Sequence, residues 1–215
     1  MSDVASRPRT PHTVPDLLAA RAEVDPARVA IEVYGVATLT FAQWHQRAAA
    51  VAGALVARGL SPGQRVALVF GTRHWVDFAV AYCGVQMAGG VAVPCGDRTA
   101  TATLDYVLRH CGAVGVIQAV DGPVVAGPTR WLATVAELER EAAAPVTVRV
   151  APWDPAQILY TSGTTGRPKG VAATHANLTY GATTHPKRRR LAHSDHFLHA
   201  FPVGTNAGQT MLLNA

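Results

Sequence analysis

Tyr160-Thr161-Ser162-Gly163-Thr164-Thr165-Gly166-Arg167-Pro168-Lys169-Gly170-Val171 is the stretch that decides how the rest of the chain is read. The ten residues from Thr161 carry four hydroxyls, three glycines and two cations. Glycine lets a backbone approach a ligand closely and adopt positive φ. Successive N–H groups in such a loop form an anion-binding nest. Hydroxyls donate to phosphate oxygens, and a lysine adds a mobile point charge. The apolar run Gln157–Tyr160 predicts a buried strand leading into the loop, and Val171–His175 predicts a second strand leaving it. The segment is not a Walker A loop. That motif sets lysine directly after its second glycine, whereas Arg167 and Pro168 separate Gly166 from Lys169 here. A plain hydrophilic turn does not call for this density of hydroxyls and glycines, so the loop reads as a ligand site.

Upstream, helices and strands alternate. Val14–Val24 predicts a first helix, stopped near Asp25-Pro26. Short strands follow at Ala30–Val33 and Ala37–Leu39. Thr40 and Gln43 have the spacing of a capping box, and Phe41, Trp44, Ala48, Val51 and Leu55 recur at steps of three and four on one face. Gly59 suits the end of that helix, and Pro62-Gly63 suits a turn. Arg65–Phe70 reads as a strand buried on both faces. Further helices are expected at Trp75–Met87, Thr101–His110 and Thr134–Ala143, and further strands at Val91–Pro94, Val114–Ala119 and Val146–Val150. Gln209–Leu213 opens another helix. The pattern predicts an α/β fold with a mostly parallel sheet flanked by helices. Three segments are expected: a flexible tail over 1–12, a first α/β subdomain over 13–150, and over 151–215 the start of a second subdomain that carries the glycine loop.

The chain has 215 residues, 49% hydrophobic and 15% charged, which is enough apolar material for a sizeable core. Its net charge is +5. The run Lys187–Arg190 reads as a solvated loop, since basic residues interleaved with aromatics, the mark of a nucleic-acid surface, are absent. Cys83, Cys95 and Cys111 read as buried free thiols of a reducing cytoplasm, without zinc spacing. The first 13 residues lack the apolar core of a signal peptide. Phe78–Pro94 is apolar, but Gln86, Gly89-Gly90 and Pro94 make it a buried helix followed by a strand, not a membrane span. His175, His185, His193, His196 and His199 read as surface or strand-end residues, and neither they nor Ser194-Asp195 form a metal or hydrolase pattern.

The loop closely resembles the phosphate-loop signature of the AMP-forming superfamily of acyl-CoA synthetases, nonribosomal-peptide adenylation domains and luciferases. Thr174-His175-Ala176-Asn177-Leu178 looks like the stretch that follows it there. Leu39-Thr40-Phe41 to Pro62–Ala67, and Met87–Pro94, look like the superfamily's first two core regions. The resemblance implies the N-terminal portion of an adenylate-forming enzyme's large domain. It implies an ATP-dependent ligase that activates a small-molecule carboxylate as its acyl-adenylate, then passes the acyl group to a thiol of CoA or of carrier-protein pantetheine. Thr161, Ser162, Gly163, Thr164, Thr165, Gly166 and Lys169 would hold the β- and γ-phosphates of ATP. Catalytic residues and the Mg²⁺ ligand are expected beyond Ala215, so the 215 residues alone are expected to be inactive. Phe201-Pro202 to Gly208 resembles the region leading to the acyl pocket, with Thr205 and Asn206 as pocket residues. Many members place histidine or an aromatic where this chain has Thr205, which leaves the carboxylate class open. The alternative is a truncated, non-catalytic homologue that binds a nucleotide or a protein partner.

Overall fold

The computed structural model describes residues 12–123, 125, 127–142, 146–161, 167–180 and 196–214. The described elements run α1 (Val14–Val24), β1 (Val29–Val33), β2 (Ala37–Thr40), α2 (Phe41–Ala57), β3 (Arg65–Phe70), α3 (Trp75–Met87), β4 (Val91–Gly96), α4 (Thr101–Cys111) and β5 (Ala113–Gln118). They continue with β6 (Trp131–Ala133), α5 (Val135–Glu141), β7 (Pro155–Thr161), β8 (Lys169–Thr174), α6 (His175–Leu178) and α7 (Asn206–Asn214). β1 and β2 form a small antiparallel hairpin. The other six strands make one sheet in the order β6-β5-β3-β4-β7-β8. All neighbours in it are parallel except β7 and β8, which are antiparallel.

β3 explains why this sheet has two covered faces. Its residues from Val66 to Phe70 are all buried. Val66, Leu68 and Phe70 face a cluster built with α2 and α3, where Trp44, Leu55, Phe78 and Tyr82 lie. Ala67 and Val69 face the opposite cluster, where α4 contributes Leu104, Val107, Leu108 and Cys111. A strand buried on both sides has to be apolar at every position. Each large side chain so buried contributes about 1.5–3 kcal/mol.

Local signals place the helices. Thr40 accepts from the Gln43 N–H while Gln43 returns a bond to the Thr40 N–H, closing the expected capping box. Gly59 follows α2 at φ +81°. Trp44 sends its indole N–H to the Ala79 carbonyl at 2.9 Å, pinning α2 to α3. Arg65 reaches from β3 to the Cys111 and Gly112 carbonyls at 2.6 and 3.1 Å, satisfying the C-terminus of α4. The three cysteines are buried and free. Burial pushes the Cys95 thiol up to about 12.

Two local expectations differ. Residues 146–150 form no strand. They carry a strand's alternation but pair with no neighbour; Val148 instead runs past Gly89, and a Cβ there would meet Val148 Cγ1 at 3.0 Å. Conversely β6 was not expected, because three residues cannot display a period. It exists because Trp131 pairs with Gly115, whose missing side chain leaves room for the indole. β7 and β8 lie in the same sheet as β3–β6. No helix among the described residues is long and apolar enough to cross a membrane.

Candidate functional site

β7 runs parallel to β4, so the glycine loop leaves the sheet at the C-terminal edge of its parallel strands. β4 sends the chain back across β3 to β5, while β7 sends it outward to β8. In open α/β sheets ligands usually bind outside the carboxyl ends of the strands. At this edge β4 ends at Gly96 and β7 at Thr161. Gly204 closes against the same edge, where an added Cβ would lie 2.9 Å from the Gly96 N.

Of the loop residues read as phosphate ligands, Thr161 and Lys169 are described. They are cross-strand partners, the last rung of the β7–β8 ladder before the loop. Both are exposed. Ser162, Gly163, Thr164, Thr165 and Gly166 lie outside the described residues. The hairpin thus places a hydroxyl and a cation side by side at the loop's mouth. Among the described residues Lys169 has no ion-pair partner. A hydroxyl and a compact ammonium suit phosphate oxygens. No group of acidic, histidine or cysteine side chains among the described residues could hold a metal ion.

The two expected strands are present, with one difference. β7 is largely buried, but β8 is an exposed edge, and Val171 is 56% exposed. Its return to apolar residues looked like burial because composition does not show which strand lies outermost. Gly170 has a role beyond ligand approach. It sits opposite Tyr160, and an added Cβ would come within 2.9 Å of Ile158 Cγ2 and 3.1 Å of the Tyr160 ring.

His175 shows what the sequence did not reveal. The sequence reads it as a surface or strand-end residue and as the end of a strand over Val171–His175, but β8 ends at Thr174, His175 opens α6, and it is only 1% exposed. Its Nδ1 accepts the Val14 N–H at 3.3 Å, and its own N–H bonds the Asp154 carbonyl. Thr179 donates to the His12 carbonyl nearby. His175 therefore fastens the start of α1 to the far end of the loop hairpin. Burial lowers its pKa to about 4, against the opposing pull of Asp154 and Asp16. Such a role depends on a partner 161 residues away, and no local pattern carries it. Of the other histidines, His185 and His193 lie outside the described residues, as do Ser194, Asp195 and the run Lys187–Arg190. His199 stacks on Phe201, lies tilted against Phe197 and meets Trp75 edge-on.

Thr205 and Asn206, read as pocket residues, have structural work in the described chain. The Thr205 hydroxyl donates to the Pro202 carbonyl at 2.8 Å and accepts the Gly208 N–H at 3.1 Å, so it caps α7, of which Asn206 is the first residue. Buried Gln209 bonds the Val203 carbonyl and holds this turn against the core.

The sequence profile of one family, described as AMP-binding enzyme, matches residues 18–215. The chain belongs to the AMP-binding enzyme family. Its relatives in that family include a feruloyl-CoA synthase of Amycolatopsis sp, 35% identical over 188 residues, covering 85% of this chain and 38% of the relative. Another is the long-chain-fatty-acid–CoA ligase FadD13 of Mycobacterium tuberculosis, 32% identical over 212 residues, covering 92% of this chain and 42% of the relative. Among solved structures, the inhibitor-bound N-terminal domain of FACL13 from the same organism superposes with a TM-score of 0.67 at 31% identity, over 76% of this chain and 44% of that one. The chain thus spans about two fifths of the length of these AMP-binding relatives.

Proposed function

We propose that this chain is the phosphate-binding part of an ATP-dependent, AMP-forming ligase that activates a carboxylate. The observation that carries the reading is the glycine loop itself, joined to β7 and β8 at the C-terminal edge of the parallel strands and closed by the Thr161–Lys169 rung, in a chain of the AMP-binding enzyme family. In this proposal the loop from Thr161 to Gly166, with Lys169, holds the β- and γ-phosphates of ATP. The substrate carboxylate attacks the α-phosphorus, the bond to the β-phosphate oxygen breaks, and pyrophosphate leaves with the electron pair. The loop's task is positioning and charge neutralisation of that leaving group. Mg²⁺ would neutralise further phosphate charge, with a ligand outside the described residues. A thiol of CoA or carrier-protein pantetheine then displaces AMP from the acyl-adenylate. The substrate is a small-molecule carboxylate of open class, with Thr205 and Asn206 proposed near its pocket. A reducing cytoplasm remains the proposed setting for the three free thiols.

Lys169→Ala and Thr164→Ala test the reading in the enzyme that carries this chain. A hydrogen bond to a charged group is worth about 1.5–3 kcal/mol. Each variant should therefore slow carboxylate-dependent pyrophosphate release by about tenfold to a hundredfold. Lys169→Arg should recover only part of the loss, since a forked guanidinium does not replace a compact ammonium. Melting should barely change for Lys169→Ala, because that side chain is exposed. Wild-type kinetics in both alanine variants would reduce the loop to a turn.

A further inference from the structure

Tyr106 and His110 lie one turn apart on α4, outside the glycine loop, and between them reach both of its ends. On the incoming side, the Tyr160 hydroxyl lies 2.7 Å from His110 Nδ1. With the proton of the neutral imidazole on Nε2, the phenol donates to Nδ1. On the outgoing side, Tyr106 donates its hydroxyl to the carbonyl of Pro168, the residue before Lys169, at 3.3 Å. The three rings touch in series. Tyr106 and His110 have centroids 5.3 Å apart, and His110 meets Tyr160 edge-on at 5.7 Å and 81°. Gly170 leaves the space that the Tyr160 ring needs in this arrangement.

We propose that Tyr106 and His110 are positioning residues for the phosphate site, acting through Tyr160 and Pro168. This rests on the phosphate reading of the loop given above. The β7–β8 ladder fixes how far apart Thr161 and Lys169 lie, but β8 is an exposed edge strand that can twist about its one partner. The α4 brace adds an out-of-sheet tether to each arm of the loop. Both arms are thereby referred to one rigid helix, itself held by Arg65 at its C-terminus. A site held this way before the ligand arrives spares the ordering cost on binding. Ordinary packing of a helix on a sheet would need only the rings. The brace needs the Tyr106 hydroxyl and the His110 nitrogen, and this distinction can be measured.

The test uses the 215-residue chain and four variants: Tyr106→Phe, His110→Ala, His110→Asn and Lys169→Ala. Amide hydrogen exchange at residues 160–161 and 167–171 and calorimetric titration with inorganic pyrophosphate and Mg²⁺ are the two readouts. Tyr106→Phe and His110→Ala should each speed exchange in that window by about three- to tenfold, the worth of one neutral hydrogen bond. They should weaken pyrophosphate binding by a similar factor. His110→Asn sets a polar atom near the place of Nδ1 and should recover most of both effects. Lys169→Ala should weaken binding by about tenfold to a hundredfold without changing exchange. Unchanged exchange in Tyr106→Phe and His110→Ala overturns the brace, as does His110→Asn behaving like His110→Ala. If His110→Ala does not fold, Tyr106→Phe decides alone, since it deletes a single oxygen. If the wild-type chain binds no pyrophosphate, or Lys169→Ala binds it equally well, the phosphate reading falls while exchange still decides whether the brace holds the loop.

Discussion

Gly170 illustrates how one residue serves two demands. As part of the glycine loop it reads as a point of close approach to phosphate. In the folded chain its missing Cβ also admits the Tyr160 ring and Ile158 Cγ2 across the hairpin. Gly170→Ala removes backbone freedom from the unfolded chain, which favours folding by about 0.4–1 kcal/mol. Against that, the new methyl would stand 2.9 Å from the stiff, β-branched Ile158, and overpacking costs about 1–3 kcal/mol. The edge strand relieves part of the clash by shifting. We therefore expect a net loss of about 1 kcal/mol, a fall in Tm of about 2–4 °C, measured by calorimetry. Pyrophosphate binding should weaken as well, because the shift displaces Lys169. A variant as stable as wild type that also binds pyrophosphate normally would show that the Tyr160–Gly170 fit is slack.

Between elements, the α2–α3 contact explains a residue that helix propensity alone would discourage. Gly84 lies inside α3, where glycine costs about 1 kcal/mol relative to alanine. It persists because the two helices approach closely there. An added Cβ would lie 2.6 Å from Val51 Cγ1 and 3.0 Å from the Ala48 carbonyl oxygen. Val51 is fully buried, and the carbonyl is helix backbone, so neither can yield easily. The clash outweighs the propensity gain, and Gly84→Ala should destabilise by about 1–2 kcal/mol in denaturant melts. Combining it with Val51→Ala should cost less than the two single changes added together, since truncating Val51 vacates the space the new methyl needs. Additive costs would place the strain elsewhere.

For the molecule as a whole, His175 makes the attachment of α1 dependent on pH. Its folded pKa is about 4, below the ordinary value of 6.5, because burial disfavours the charged ring. The unfolded chain therefore binds a proton more readily than the folded one between these values. The neutral form's contribution is complete above about pH 6.5 and is lost as pH falls towards 4, with a ceiling of about 3 kcal/mol. His175→Asn keeps an acceptor for the Val14 N–H but does not titrate. Its stability should fall less steeply than wild type between pH 6.5 and 4.5, as followed by urea melts, and parallel slopes would refute the link. How much of this was legible beforehand follows the range of each interaction. The α2 cap, the helix at Trp75–Met87, the doubly covered β3 and the glycine loop between two strands all rest on local periods and on residues a few places apart, and each is present. The phosphate reading, a proposal, likewise rests on consecutive residues, because loop chemistry is written locally. Strand order, the exposed position of β8, the unpaired segment 146–150, the short β6, the burial of His175 and the reach of α4 to Tyr160 and Pro168 were decided only when distant segments met. Pairing and burial are properties of neighbours in space, and one chain position carries no record of which neighbour it will find.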